Sequence, residues 1–238
     1  LVRNSFKRLA ASAGLLSLFL GLTLSPSLDA RSVDAALEAQ QRLSKGEIIV
    51  GMKGTGETKL VTGSVLIDES PDEVWQVVAN PYEFCGKISS RMRNIELMVD
   101  KHERSVMRVN MDVFLIPHFN YVVESTYKAA EKIEFHRAAG QAQSLKDFNG
   151  SWEIKAVDNG TKSELTYSMF MDPGFFVPQW IIREGVKNEL PRTLSLIKKR
   201  VDAIKMKREK LEAQTIVAAS LKGTGTEAVA SRAGAAPI

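Results

Sequence analysis

The chain carries a single cysteine, Cys85, and only three histidines in 238 residues. One cysteine can form no disulfide within the chain and no thiolate zinc cluster. Its position, far from the N-terminus, also excludes a lipid-modified cysteine there. His102, His118 and His136 are scattered without metal-ligand spacing, and His118 and His136 fall on the outward parity of their strands. A Gly-x-Ser-x-Gly elbow and a phosphate-cradling glycine loop are both missing. Gly51-x-x-Gly54-x-Gly56 follows a strand, but a second strand comes next instead of a helix, so it reads as a hairpin turn. Excess charge is small as well. The formal net charge is +4, half of it from Arg3, Lys7 and Arg8 against Asp29 near the N-terminus. So modest a balance is no footprint of nucleic acid. No internal repeat is apparent, and neither a cofactor nor a metal is expected.

With 44% hydrophobic and 25% charged residues, the composition is that of an ordinary globular protein. The apolar stretch Leu9–Leu24 follows the basic residues and precedes helix-breaking Pro26 and Leu28-Asp29-Ala30. It reads as a secretory signal over 1–30, cleaved after Ala30. Gly14 and Gly21 interrupt it, and it falls short of the ~20 residues that span a bilayer. The expected location is therefore periplasmic or secreted; read instead as an uncleaved segment, residues 9–24 would anchor the protein to a membrane. A leading helical segment is expected over 31–46, with Ser32 as its cap. The main domain is expected over 47–212. Residues 213–238 are rich in Ala, Gly, Ser and Thr without apolar periodicity and read as a disordered tail.

Within the domain, 47–53 and 59–68 read as two strands around a Gly54-Thr55-Gly56 turn. Ser70-Pro71-Asp72-Glu73 then places a hydroxyl at the cap, proline at the first helical position and a carboxylate in the first turn. Asn80-Pro81-Tyr82-Glu83 repeats that grammar, so two short helices follow in series. From Arg91 to Pro173 the period changes to two: Ile95, Leu97 and Val99; Met107, Val109 and Met111; Phe119, Tyr121, Val123 and Tyr127; Ile133 and Phe135; Phe148 and Trp152; Tyr167, Met169 and Met171. That predicts at least five consecutive antiparallel strands, each with one buried and one wet face, and Asp158-Asn159-Gly160 marks a hairpin turn. Pro178 opens a long helix whose stripe is Ile182, Val186, Leu190, Leu194, Ile197, Val201 and Ile204. Pro191 should kink it.

The order of these elements resembles the helix-grip superfamily of START-related, polyketide-cyclase-like proteins (SRPBCC), and especially its coenzyme-Q-binding branch. The likeness rests on Val65–Trp75 (VLIDESPDEVW), Gly150-Ser151-Trp152, Leu165-Thr166-Tyr167, Phe175-Phe176-Val177-Pro178, Leu190-Pro191-Arg192-Thr193-Leu194 and Lys198-Lys199-Arg200-Val201, and covers about 58–205. It implies an α+β helix-grip fold: a curved antiparallel sheet wrapped around a long C-terminal helix, with two short helices closing one end. It also implies a cavity between sheet and helix. The residues expected to line it are Met107, Val109, Met111, Tyr121, Tyr127, Phe135, Arg137, Tyr167, Met169 and Met171, with Val186, Leu190 and Leu194 across from them. Methionines make a soft lining for a flexible apolar ligand; equally, each of these residues can be plain core. Tyr121, Ser125, Tyr127 and Arg137 share the inward parity and could supply polar contacts, although Arg137 could instead sit at the sheet edge in water.

The expected function is that of an exported binding or carrier protein for a hydrophobic small molecule or lipid, an isoprenoid quinone or similar. The alternative is a cyclase- or isomerase-type enzyme acting in the same cavity, which would need an inward acid–base pair that the sequence does not display. Asp72, Glu73 and Glu83 are explained by their places at helix starts. The basic run Lys198–Lys210 is either a solvated helix face or a transient contact with anionic headgroups.

Overall fold

A computed structural model describes residues 30–53, 59–113 and 116–230. The proposed signal segment up to Asp29, the Gly54-Thr55-Gly56 turn and 231–238 lie outside the described residues. The chain divides between Leu37 and Glu38 into two units. Of the first, the described part is the opening of helix α1 (Ala30–Ser44), on which Val33 and Leu37 are exposed. That helix begins ahead of Ser32, which therefore lies inside it and not at its cap. All that follows concerns the second unit.

Alternating sequence becomes one antiparallel sheet of eight strands. The strands are β1 (Ile49–Lys53), β2 (Lys59–Ile67), β3 (Met92–Lys101), β4 (Arg104–Val113), β5 (Ile116–Lys128), β6 (Lys132–Arg137), β7 (Asp147–Val157) and β8 (Lys162–Asp172), in the spatial order β1-β2-β8-β7-β6-β5-β4-β3. Each strand from β3 to β8 pairs with the next, as the period-two pattern predicts, while β2 docks on β8, Val65 facing Leu165. The β7–β8 turn puts Asp158, Asn159 and Gly160 at φ of 50°, 57° and 83°, the left-handed region that Asp, Asn and Gly tolerate.

Two glycines are demanded by close approach. A Cβ on Gly63 would stand 2.9 Å from methyl carbons of both Leu190 and Leu194, so β2 lies against the C-terminal helix at a distance that a side chain there would push apart. On Gly150, a Cβ would meet the Ser168 carbonyl oxygen at 2.1 Å and the Phe135 ring at 2.6 Å. Phe135 is its register partner on β6 and covers the gap.

The two short helices are α2 (Pro71–Val78) and α3 (Pro81–Phe84). Asn80 caps α3 as expected, its Oδ1 accepting from the Tyr82 N–H at 3.1 Å. The Ser70 hydroxyl, by contrast, makes no capping bond at α2. Its carbonyl accepts the N–H groups of Glu73 and Val74 instead, and the Glu73 carboxylate pairs with Arg208 at 2.6 Å.

The C-terminal stripe is split. Helix α4 (Gln179–Glu184) leads into a π-helical turn, Gly185–Glu189, and then α5 (Leu190–Ala230). The expected break near Pro191 thus takes the form of a wide turn just before it. Proline offers no N–H to the carbonyl four residues back, and its ring crowds that carbonyl. The Leu190 N–H reaches back five residues to Gly185. The stripe spacing fits this: Ile182, Val186, Leu190 and Leu194 follow at four-residue steps, each overrunning an α-helical turn by about 40°, which a five-residue hydrogen-bond step absorbs. Helix α5 continues to Ala230, so the expected tail is helical over 213–230.

The core forms where α2 and α5 meet the inner sheet face. Val65, Ile67, Val74, Val77, Leu165, Leu194, Ile197 and Val201 are all sealed from solvent, each worth roughly 1.5–3 kcal/mol of burial. The outer face carries cross-strand pairs such as Arg104–Glu124 at 2.6 Å. It is not wet throughout: Val106 and Val122 form a small buried cluster there with Ala138. Beyond β6 the chain runs on beside β5, the Ala138 N–H donating to the Val122 carbonyl and Gln143 Oε1 accepting the Val122 N–H at 3.0 Å.

Candidate ligand cavity

Inner-face residues far from α5 make a second apolar cluster, built on Ile95, Met107, Val109, Phe119, Phe135 and Phe148. Between this cluster and the α2–α5 core lies a cavity of about 260 Å³. Its floor is the sheet: Met107 and Val109 of β4, Tyr121, Val123, Ser125 and Tyr127 of β5, Ile133 and Phe135 of β6, Phe148 and Trp152 of β7, and Tyr167 of β8. Val78, Ala79, Pro81, Phe84, Ser89 and Met92 close one side, and Leu190 and Thr193 of α5 complete the wall. None of the described residues that line it is charged.

Aromatic rings run through this floor in an unbroken series. Tyr121 neighbours Phe148 at 5.3 Å between ring centres, Phe148 neighbours Phe135 at 5.2 Å, and Phe135 neighbours Tyr167 at 6.0 Å. Tyr167 then meets Trp152 at 4.4 Å, and Trp152 meets Phe84 at 5.9 Å. These separations are those of favourable aromatic pairs.

The polar groups differ in what they have left to offer. Tyr127 shares a hydrogen bond of 2.6 Å with the buried Ser105, and Tyr167 donates to the Met169 sulfur at 3.0 Å. The Tyr121 and Ser125 hydroxyls have no hydrogen-bond partner among the described residues, and neither is sealed off from accessible space. Burial pushes the Tyr121 phenol up to about 12. The Tyr167 phenol is also raised, by burial first and by its neighbour Tyr121 second. Both stay neutral near pH 7.

Of the expected lining residues, Met107, Val109, Tyr121, Tyr127, Phe135, Tyr167 and Leu190 lie on the cavity. Met111, Met169 and Met171 have the same parity but pack half-buried in the second cluster. Val186 and Leu194 pack into the main core, and Arg137 is turned to the Leu145 carbonyl, to which its Nε donates at 3.0 Å. Parity could have found Phe148, Trp152 and Val123; Thr193 and Met92 gave no sequence signal beyond their neighbours. The outward parity of His136 holds, its Nε2 lying 3.9 Å from Glu124 on the outer face; the His118 side chain is outside the described residues.

Charged residues instead hold the cavity's walls together. Glu83, almost buried, accepts from Arg200 Nε at 2.5 Å and from Lys87 at 2.9 Å. The Arg200 hydrogen bond, then that of Lys87, holds its carboxyl below the usual carboxylate range against the opposing cost of burial. Glu83 is therefore a tie between α3 and α5, not only a helix-start carboxylate. In the basic run of α5, Lys198, Arg200, Lys205 and Arg208 pair with Asp68, Glu83, Glu69 and Glu73. Those four charges are spent within the fold, which leaves Lys199, Lys207 and Lys210 without an ion pair among the described residues.

No family model matches the chain, and no curated protein matches it. Solved structures do. The aromatase/cyclase Zhui of Streptomyces sp. R1128 superposes with a TM-score of 0.52 at 14% identity, covering 61% of this chain and 94% of that one. A STAR-related lipid transfer protein of Xanthomonas axonopodis gives 0.50 at 16%, covering 64% and 98%. The human StAR-related lipid transfer protein 5 gives 0.50 at 14%, covering 74% and 97%. The fold is thus the helix-grip fold of START-like proteins. A shared fold at such identities carries no activity with it.

Proposed function

We propose that this protein is a carrier that shelters an apolar small molecule between its sheet and α5. The observation that carries the reading is a cavity of about 260 Å³ with an aromatic and aliphatic lining and no charged side chain among the described residues. Such a lining gains roughly 25 cal/mol per Å² of apolar surface withdrawn from water. An enzyme of the cyclase or isomerase type would need a proton donor and acceptor facing the substrate. The ionisable groups on this cavity are phenols, two of them raised by burial, and this favours holding over converting. The finer likeness to the coenzyme-Q-binding branch rests on the short motifs quoted above. Export through a signal over 1–30 rests likewise on the N-terminal pattern, and no helix among the described residues is long and apolar enough to cross a membrane. Contact with anionic headgroups would fall to Lys199, Lys207 and Lys210.

Native mass spectrometry of protein purified from its own host, followed by organic extraction, tests the carrier. A reproducible apolar molecule released on denaturation is the expected result. Folded protein that is empty, and that also takes up no apolar probe, overturns it. Cell fractionation tests export, with a purely cytosolic protein as the contrary result.

A further inference from the structure

The hydroxyls of Tyr121 and Ser125 say more about the cargo. Both belong to the inward row of β5, four residues apart, with Val123 between them and about 13 Å between their Cα positions. Tyr121 is wedged between Phe119 and Phe148, at 6.2 and 5.3 Å. Ser125 is only 4% exposed. Neither hydroxyl has a partner among the described residues, and both remain open to accessible space, so each is free to bond a guest. The two open onto the same apolar cavity, while the neighbouring Tyr127 and Tyr167 hydroxyls are already bonded within the protein.

Size and charge narrow the choice further. A dry apolar cavity of ~150 Å³ holds a benzene ring, so 260 Å³ holds a molecule of on the order of ten non-hydrogen atoms by the same scale. A two-chain phospholipid is several times larger. With no charged residue among the described residues of the lining, an ionised group would be buried without a counter-charge. The continuous series of rings from Tyr121 to Phe84 makes the floor largely aromatic, which suits an aromatic guest.

Resting on the carrier reading, we infer that the cavity selects an uncharged, ring-sized molecule bearing at least one oxygen, which hydrogen-bonds to Tyr121 or, at the other end of the row, to Ser125. The phenol and the hydroxyl can each donate or accept, so a ketone or a phenol oxygen suits either. The apolar walls bind the ring; the two hydroxyls distinguish an oxygenated ring from a plain hydrocarbon.

The test uses three probes of matched shape, naphthalene, 1-naphthol and 1-naphthoate, titrated calorimetrically into the full chain and its variants near neutral pH. At least one of Tyr121→Phe and Ser125→Ala should weaken 1-naphthol about three- to tenfold, and both should leave naphthalene within about twofold. The ionised naphthoate should bind at least about a hundredfold more weakly than the naphthol. If both variants leave naphthol and naphthalene equally tight, the hydroxyl anchor is overturned while the carrier reading stands. Naphthoate binding as tightly as naphthol overturns the requirement for a neutral guest. If folded protein takes up neither neutral probe, the carrier reading itself falls. Should Tyr121→Phe fail to fold, Tyr121→Met, which also removes the phenol, is read beside Ser125→Ala.

Discussion

Arg91 and Glu189 meet at 2.8 Å between two walls of the cavity. Arg91 stands between Ser89 and Met92, which line the cavity from the α3–β3 side; Glu189 directly precedes Leu190, which lines it from α5. The pair is therefore a strut joining two sides of the space it flanks.

Removing that strut should loosen the wall more than the fold. Both side chains are about two-fifths exposed, and pairs so exposed contribute ~0.2–1 kcal/mol. Arg91→Ala should raise the dissociation rate of bound 1-naphthol up to about fivefold, with little change in melting temperature. Stopped-flow release measures it. The Arg91 hydrogen bond holds Glu189 below its ordinary value of 4.5. The strut is thus intact above that ordinary value and is lost as pH falls through the lowered one. Release from the native protein should speed up over that acid window, and release from the variant should not.

Glu83 should matter more for stability. Its carboxylate is nearly buried and receives two cationic partners, and hydrogen bonds to charged groups are worth ~1.5–3 kcal/mol. Glu83→Gln should cost about 1–3 kcal/mol in urea unfolding at neutral pH. Because its folded pKa is depressed, this contribution is present above the ordinary carboxylate value and disappears as pH falls through the depressed one. Native protein and variant should therefore converge in stability on acidification; parallel curves would detach Glu83 from acid unfolding.

A charge placed on the floor should empty the cavity. Val109 is 2% exposed and lines it, so Val109→Arg buries an unpaired cation or forces the sheet apart. Probe binding should vanish, whereas Met111→Leu, off the cavity, should leave affinity within about twofold. A Met111→Leu variant that lost binding would redraw the floor.

Gly150 should tolerate nothing larger. Gly150→Ala sets its methyl against the Ser168 carbonyl, a backbone atom that cannot turn aside, and should abolish folding or cost several kcal/mol. Gly63→Ala meets only the methyl ends of Leu190 and Leu194, so ~1–3 kcal/mol is expected. Equal losses at both sites would refute this ranking. Chemical denaturation of the two variants side by side decides it.

Much of the architecture was legible because period and punctuation are local. Proline at the head of two short helices, alternation from β3 to β8 and the apolar stripe of α5 each follow from neighbours in the chain. Parity also brought Val109, Tyr121, Phe135 and Tyr167 to the right face. It could not tell depth: Met107 and Met111 share a parity, yet the cavity ends between them, and Met169 is occupied by the Tyr167 phenol. Nor does a one-dimensional pattern reveal partners. The basic run of α5 reads as a free cationic face until Asp68, Glu69, Glu73 and Glu83 are found lying opposite it. The Ser70 hydroxyl has every credential of a cap and does not act as one; only its backbone carbonyl bonds to the helix, through the N–H groups of Glu73 and Val74.

The wide turn at Gly185–Glu189 sets the phase of everything after it. One residue removed there would close the wide turn to the ordinary four-residue step and take out the extra residue that spaces Val186 from Leu190 in the stripe. Elsewhere on the surface the length of a connection is free to vary; in this short stretch the number of residues is itself a structural requirement, and tolerance to substitution there should far exceed tolerance to deletion.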